Sequence, residues 1–579
     1  MTTQAAKIIY DEEPGSPPSK ISGAQAVMEA LVREKAEIIF GYPGGAIMPV
    51  YDALYSYQDR ITHVMTRHEQ GAVHAAQGFA RATGAVGVCI ATSGPGATNL
   101  ITGLADAYMD STPLVCITGQ VASPLLGTDA FQETDIIGIS LPVTKWNYQV
   151  RCADEIPHIL SKAFYIARSG RPGPVLVDIA KDAQFAATAP IDKSVAFIRS
   201  YQPKPDVNYD LLKEAAALIN RSERPFILFG QGVILGKAET EFRRFVEKSG
   251  IPAAWTLLGA SALDSDHPLN VGMLGMHGNY APNLLTNACD LLIALGMRFD
   301  DRVTGDVKRY AQKAAVIHID IDASELNKVV TADVPIHGDL KQALPELTHW
   351  VEEGTHTEWV NRFAGLYQEE RVSVIDPELF PSKPGLTMGE VVRRISERTN
   401  GDAIVVTDVG QHQMVAGRYF RFKESKNLIT SGGLGTMGFG LPAGIGAKLG
   451  RPEKTVITII GDGGFQMTLQ ELGTILQTGV ALKIVILNNN FLGMVRQWQE
   501  LFFEGRYSST EMVNPDFVTI ATGYHIKAEK VTRRSQLDRA IDNLLEHDGP
   551  CLLEAVVEKE DNVFPMVPAG ASVSEVRLT

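Results

Sequence analysis

Two short strings separated by 24 residues carry the densest chemistry in this 579-residue chain: Gly461-Asp462-Gly463 and Asn488-Asn489. A carboxylate and an amide oxygen are hard ligands of the kind Mg²⁺ takes, and Mg²⁺ keeps an incomplete protein shell that phosphate oxygens and water complete. Gly463 and Gly464 bare backbone N–H groups where an apolar strand turns into a helix, and a helix N-terminus attracts phosphate. The pattern therefore offers a site for a metal-bound diphosphate. A dinucleotide fingerprint and an ordinary strand-to-helix turn are the competing readings. Gly94-Pro95-Gly96 lacks the fingerprint's third glycine, and Gly230-Gln231-Gly232 has its last glycine one residue late, at Gly236. A lone Gly-Asp-Gly reads as a turn, and the Asn-Asn pair shifts the reading to a metal site.

The segment between the strings explains how they meet. A helix of ~14 residues runs back ~21 Å and a strand of ~6 residues returns ~20 Å, so Asp462 and Asn489 become neighbours at one edge of a parallel sheet. Ligands of open α/β sheets bind at that carboxyl edge. The same plan occurs near the start of the chain, where "AVGVCIATS" leads into Gly94-Pro95-Gly96, then "ATNLITGLADAYMD", then "PLVCITG". The two outer thirds thus look like structural cousins.

Across the chain, Val- and Ile-rich runs alternate with helical patterns, the rhythm of parallel sheets with crossover helices. The expected fold class is α/β, with three doubly wound parallel-sheet domains. Pro-containing, poorly periodic stretches at residues 187–206 and 372–385 give boundaries at a loose tail 1–20 and domains 21–190, 191–372 and 373–579. The formal charge of −14 argues against nucleic acid as a partner. A mean hydropathy near zero argues against a membrane. Five scattered cysteines without a CxxC pair, and a start lacking an apolar targeting core, fit a reducing cytoplasm.

Further candidates surround the anchor. Glu69 in "RHEQGA" stands where a short strand meets a helix rich in small residues, a place where a carboxylate also simply stabilises the helix dipole. "TDVGQHQM" puts Gly410, Gln411 and His412 just beyond the strand "AIVVTD". In "SGGLGTMGFGLPAGIGAKLG" the glycines at 438, 440, 444 and 446 read as tight packing or as ligand access, and Met437 as ordinary core.

Gly-Asp-Gly, 24 residues, then Asn-Asn resembles the thiamin diphosphate (ThDP) motif of ThDP-dependent decarboxylases and carboligases. Longer strings, among them "FGYPGGAIMPVYDAL", "GTDAFQET", "SGRPGPVLVDIAKD", "GMLGMHG", "RFDDRVTG" and "NNNFLGMVRQWQELFF", are similar to the acetohydroxyacid synthase catalytic subunit from about Gly23 to Gly570. That resemblance implies a pyrimidine-binding domain, a central FAD-binding domain and a diphosphate-binding domain. It implies a transferase that decarboxylates pyruvate and condenses the two-carbon unit with a second pyruvate or with 2-oxobutanoate, the first common step of branched-chain amino-acid biosynthesis. A flavin-free catabolic acetolactate synthase, or another ThDP-dependent decarboxylase or carboligase, is the rival.

The resemblance also distributes roles. Glu69 would protonate the pyrimidine, and Val409, Gly410, Gln411, His412, Gly435, Met437, Asp462, Gly463, Gly464, Asn489, Gly493 and Met494 would hold ThDP. Asp462, Asn489 and the carbonyl of Phe491 would bind Mg²⁺. Gln132 and Lys181 would stand at the reacting centre and its entry, with Phe131, Arg302, Met494 and Trp498 forming the substrate pocket. FAD would contact Arg171, Gly230, Gly232, Thr256, Leu257, Met276, His277, Gly278, Arg298, Asp320, Ile321 and Asp339. A homodimer or larger homo-oligomer with sites between subunits and a separate small regulatory subunit are the implied partners. Ala122 and Ala569 depart from the family pattern, which often has Pro and Ser there.

Overall fold

The structure, a computed structural model, describes residues 20–190 and 194–579. Residues 1–19, most of the expected tail, and 191–193, inside the first expected linker, lie outside the described residues. Eighteen strands form three six-stranded sheets. The N-terminal sheet holds β1 (Ile38–Gly41), β2 (Thr62–Met65), β3 (Gly87–Ala91), β4 (Leu114–Gln120), β5 (Trp146–Val150) and β6 (Pro174–Ala180). The central sheet holds β7 (Pro225–Phe229), β8 (Ala253–Trp255), β9 (Asn270–Met273), β10 (Leu291–Leu295), β11 (Ala315–Asp320) and β12 (Val334–His337). The C-terminal sheet holds β13 (Ile404–Thr407), β14 (Leu428–Ile429), β15 (Val456–Gly461), β16 (Lys483–Asn488), β17 (Lys527–Val531) and β18 (Cys551–Val556). Every pairing within these sheets is parallel. Strands such as β3, β4, β6 and β16 are buried at every residue, as continuous apolar runs covered by helices on both faces should be.

The orders show the kinship of the outer thirds. The N-terminal order is β2-β1-β3-β4-β6-β5 and the C-terminal order is β14-β13-β15-β16-β18-β17, the same topology strand for strand. The central order, β9-β8-β7-β10-β11-β12, is instead the dinucleotide-binding order with its switch point between β7 and β10. The imperfect Gly230-Gln231-Gly232 signal follows β7 at that switch point, although a Cβ on Gly230 would lie 2.4 Å from the Gly296 carbonyl.

Two expectations about local structure change. The stretch after Gly461 is not one helix of ~14 residues but Asp462–Thr468, a 3₁₀ turn Leu469–Glu471, and Leu472–Thr478. The break coincides with buried Glu471, which accepts the Arg67 backbone N–H at 3.1 Å and the Thr474 hydroxyl at 2.6 Å. Part of the second expected linker is helical as well: Thr357–Glu370 runs through a π turn, Arg371–Ile375, into Asp376–Leu379. Among the described residues no helix is long and apolar enough to cross a membrane.

The glycines of the Gly-rich helix decide between packing and ligand access in favour of packing. Helix Gly440–Gly450 lies on helix Glu69–Thr83 with backbones nearly touching. A Cβ on Gly446 would be 1.8 Å from the Ala75 carbonyl oxygen, and one on Gly78 would be 1.9 Å from that of Ala443. This contact joins the N- and C-terminal domains of one chain. Gly446→Val should cost about 1–3 kcal/mol or more through overpacking. Gly365→Ala, in helix Thr357–Glu370 with nothing within 4 Å of the new methyl, should instead stabilise by ~0.5–1 kcal/mol. Thermal unfolding of the two variants checks both signs.

Candidate functional site

The diphosphate end forms where β15 and β16 stop side by side, with Gly461 opposite Leu487 in the register. Asp462 opens a helix directly after β15, and Asn489 directly follows β16, so the two groups lie at adjacent strand ends. Both are buried. Asn514 donates its amide to Asp462 Oδ2 at 2.6 Å and to Asn488 Oδ1 at 3.0 Å, bridging the two strings. Burial pushes the Asp462 carboxyl up to about 6, opposed first by the Asn514 hydrogen bond. A cation would relieve that cost by supplying a positive charge. Asn489 Oδ1 accepts the Phe491 N–H at 3.2 Å, folding the Phe491 backbone back beside it. Among the described residues no group of three His, Cys, Asp or Glu side chains gathers as a metal site. One carboxylate with amide and carbonyl oxygens therefore suits Mg²⁺ completed by a diphosphate, and not a metal needing a closed protein shell.

The opposite wall comes from helix Gln411–Tyr419 after β13. Its cap, Gly410, has φ 149°, which disfavours any side chain, and a Cβ there would stand 3.0 Å from the His412 ring. Burial lowers the His412 pKa to about 4, so the imidazole is neutral. Its buried Nε2 has no hydrogen-bond partner, which an anionic oxygen would supply. Gln411 is already committed, donating to Asp561 O at 2.9 Å and Gln497 Oε1 at 3.1 Å. Asp408, just before, accepts the Val409, Gly438 and Gly440 N–H groups at 2.9, 3.0 and 2.8 Å. It thereby fixes the loop bearing Met437, whose methyl would lie 3.7 Å from a Cβ on Gly463.

One cavity of about 1180 Å³ runs from Val409, Gly410 and Met437 into the central domain, although Gln411, His412, Asp462, Gly463, Gly464, Asn489 and Gly493 do not line it. That volume exceeds the ~300–1,000 Å³ of ordinary small-ligand sites. Val409, Gly410, Gly435, Met437, Met494, Arg302 and Trp498 line it. So do Arg171, Gly230, Gly232, Thr256, Leu257, Met276, His277, Arg298, Asp320, Ile321 and Asp339. Gly278 is not among the lining residues and packs on the Met273–Leu274 backbone. His277 is buried, its Nδ1 lacks a partner, and its pKa is lowered to about 4 by burial and then by the neighbouring arginines. Asp320, at the end of β11, is pushed up to about 7 by burial. An unpaired buried imidazole nitrogen in a large cleft at the switch point fits a dinucleotide.

The N-terminal residues form a separate edge. Glu69 begins its helix after β2 and accepts the Asn99 amide at 2.9 Å. A Cβ on Gly96 would stand 3.2 Å from Glu69 Oε1, and one on Gly94 would stand 2.7 Å from the Gln132 carbonyl, so Glu69 and Gln132 share the turn after β3. Lys181 opens helix Lys181–Phe185 after β6. None of Glu69, Gln132, Phe131 and Lys181 lines the large cavity. Glu69 is only 9% exposed, whereas Phe131 is 88% exposed on a well-tied loop. Glu133 orders that loop by accepting the Gly127 and Ala130 N–H groups.

Three residues near the site escaped sequence reasoning: Asn99, Asn514 and Asp408. Asn99 and Asp408 sit inside strings already singled out, and what set them apart was partners met only in the fold, Glu69 for Asn99 and the Gly438 and Gly440 N–H groups for Asp408. Asn514 lies far from either string, in a segment with no periodicity to mark it.

Comparison with known proteins agrees with this layout. Residues 21–139 match the thiamine pyrophosphate enzyme N-terminal TPP binding domain, 212–347 its central domain, and 408–555 its C-terminal TPP binding domain. The chain is 47% identical over 563 residues to the acetolactate synthase isozyme 2 large subunit of Escherichia coli, covering 96% of this chain and 99% of that protein. It is 45% identical to the acetolactate synthase large subunits of Lactococcus lactis, over 96% of each chain, and of Corynebacterium glutamicum, over 97% and 90%. The chain belongs to the acetolactate synthase large subunits of the thiamine pyrophosphate enzyme family.

Proposed function

We propose that the chain decarboxylates pyruvate and joins the two-carbon unit to a second 2-oxo acid, pyruvate or 2-oxobutanoate, as an acetolactate synthase of branched-chain amino-acid biosynthesis. The observation that carries this reading is the buried Asp462–Asn489 edge, with the unpartnered His412 Nε2 on the ring that packs against Gly461, next to a cavity lined by Gly410, Met437 and Trp498. Thiamin diphosphate, when bound, supplies an acidic thiazolium C2 and an electron sink for decarboxylation. Asp462, Asn489 and the Phe491 carbonyl hold Mg²⁺ beside the diphosphate, and neutral His412 donates to an anionic oxygen. Met437 supports the cofactor from the loop that Asp408 pins. Glu69 shares a proton with the pyrimidine ring and so tunes its basicity. Arg302 and Lys181 attract the carboxylate of the 2-oxo acid, Arg302 through planar paired donors. Trp498, with its ring tilted 55° against Phe502 at 5.3 Å, shapes the acceptor pocket. FAD is held by the central-domain residues around Arg171 and His277 and takes no net part in redox.

A second copy completes the site. The Glu69 edge lies outside the cavity of its own chain, and exposed Phe131 beside Gln132 is an apolar surface that a homodimer would cover. The large-subunit names of the relatives support a separate smaller partner. Five free thiols and the absence of a spanning helix among the described residues support the cytoplasm.

The direct test supplies pyruvate, Mg²⁺, ThDP and FAD and measures acetolactate. Glu69→Gln should lower kcat by about 10²–10⁴-fold, the usual worth of a positioned proton-transfer group, and equal rates would remove Glu69 from the reaction. Asn514→Ala should weaken Mg²⁺ about 10–100-fold, as loss of a group orienting a metal ligand does, read from the Mg²⁺ dependence of activity and from calorimetry. Denatured protein should release FAD absorbing near ~450 nm. A colourless, active enzyme would favour the flavin-free catabolic type.

A further inference from the structure

The loop of residues 430–437, which carries Gly435 and Met437, is not held by its own domain alone. Asp106, near the end of the N-terminal-domain helix Ile101–Met109, accepts the Ser431 hydroxyl and, at 3.1 Å, the Thr436 hydroxyl. Asp110, the cap of that helix, accepts the backbone N–H groups of Gly432 at 2.8 Å and Gly433 at 2.7 Å. Arg81 pairs with Asp110 at 2.6 Å, donates to Thr112 Oγ1 at 3.0 Å and donates to the Thr430 carbonyl. Both aspartates are fully buried. Five of the seven residues from 430 to 436 are thus bonded to groups from the N-terminal domain.

The same segment reaches the central domain. Ser111 has φ 54°, a left-handed conformation that costs a non-glycine residue of order 1–3 kcal/mol and is kept only where its surroundings enforce it. Its hydroxyl accepts Arg171 Nε at 2.8 Å, and Arg171 continues to Asp322 at 3.1 Å and Glu325 at 2.7 Å. Gly433 marks the convergence. A Cβ there would lie 2.9 Å from Asp110 Oδ1, 3.0 Å from Met109 Cβ and 3.4 Å from Arg298 Nη2. A Cβ on Gly432 would strike Leu258 of the central domain at 2.7 Å. Met109, Ser111, Arg171, Arg298 and Met437 all line the one cavity.

We propose that Asp106 and Asp110 are positioning residues that set the 430–437 loop from the N-terminal domain of the same chain, and that Ser111 and Arg171 tie the loop's shape to the flavin pocket. This rests on the cofactor assignment above. Its consequence is that FAD and thiamin diphosphate bind cooperatively although neither reacts with the other. Ordering Arg171 against FAD orders Ser111 and the two aspartates, and these present Met437 ready for the second cofactor.

The test titrates Mg²⁺–thiamin diphosphate into the full chain by calorimetry, with FAD saturating and with FAD stripped. In the wild type FAD should tighten thiamin diphosphate by about tenfold, within the ~5–150-fold span of ordinary site coupling. Asp106→Ala should raise the Kd about tenfold with FAD present and cut the effect of FAD to under about twofold, with kcat at saturating cofactor within about threefold. Asp106→Asn, which keeps an acceptor for Ser431 and Thr436, should recover most of the affinity. A folded Asp106→Ala protein with wild-type affinity and wild-type FAD effect overturns the proposal. Should Asp106→Ala not fold, Ser431→Ala with Thr436→Val must reproduce the loss, and wild-type coupling in that variant overturns it equally. A wild-type chain that binds no thiamin diphosphate overturns the functional reading instead.

Discussion

The near-contact of two backbones, Gly78 against Ala443 and Gly446 against Ala75, is the constraint on which the arrangement of the outer domains depends. Helices that approach this closely need residues without side chains on the line of contact, and both helices are rich in Gly and Ala there. Once they are in register, Arg67 reaches Glu471, and Arg81 reaches Asp110 and the Thr430 carbonyl. The contact occupies the helix that Glu69 begins. The packing therefore fixes the Glu69 edge of the N-terminal domain relative to the C-terminal domain of the same chain.

Burial of charge is the second theme, and it follows from parallel sheets. Such sheets place their ligand sites at strand ends covered by helices on both faces, so a polar group there is desolvated before any ligand arrives. Asp408, Asp106 and Asp178 are each pushed up to about 6 by burial, and each answers it by accepting hydrogen bonds. Asp178 holds Thr118 at 2.7 Å and Gln120 at 3.1 Å, and Gln120 donates on to the Thr134 carbonyl at 3.0 Å, which anchors the loop carrying Phe131 and Gln132. These carboxylates are the means by which glycine-rich loops, costly to order, adopt one conformation.

Much of this was legible in the sequence, for reasons that can be named. The parallel sheets were visible because strands buried on both faces read as unbroken apolar runs, and the kinship of the outer thirds was visible because both repeat strand, glycine turn, helix and strand. Glu471 escaped because the break it marks is a tertiary contact to Arg67, and local periodicity carries no trace of a partner 404 residues away. The π turn at Arg371–Ile375 escaped for the opposite reason: Pro377 and Pro381 read as breakers, yet Pro377 sits in the first turn of helix Asp376–Leu379, where a missing N–H costs nothing.

The site residues divide along the same line. Asp462 and Asn489 could be paired from spacing because one helix and one strand join them, and that path has a nearly fixed length. Asn514 and Asp106 could not, since each reaches the site from an element whose position depends on the whole fold. Residues that touch a ligand tend to lie in short local patterns, because the backbone must present them at a strand end. Residues that hold those patterns still come from anywhere in the chain, and only the packed structure shows them.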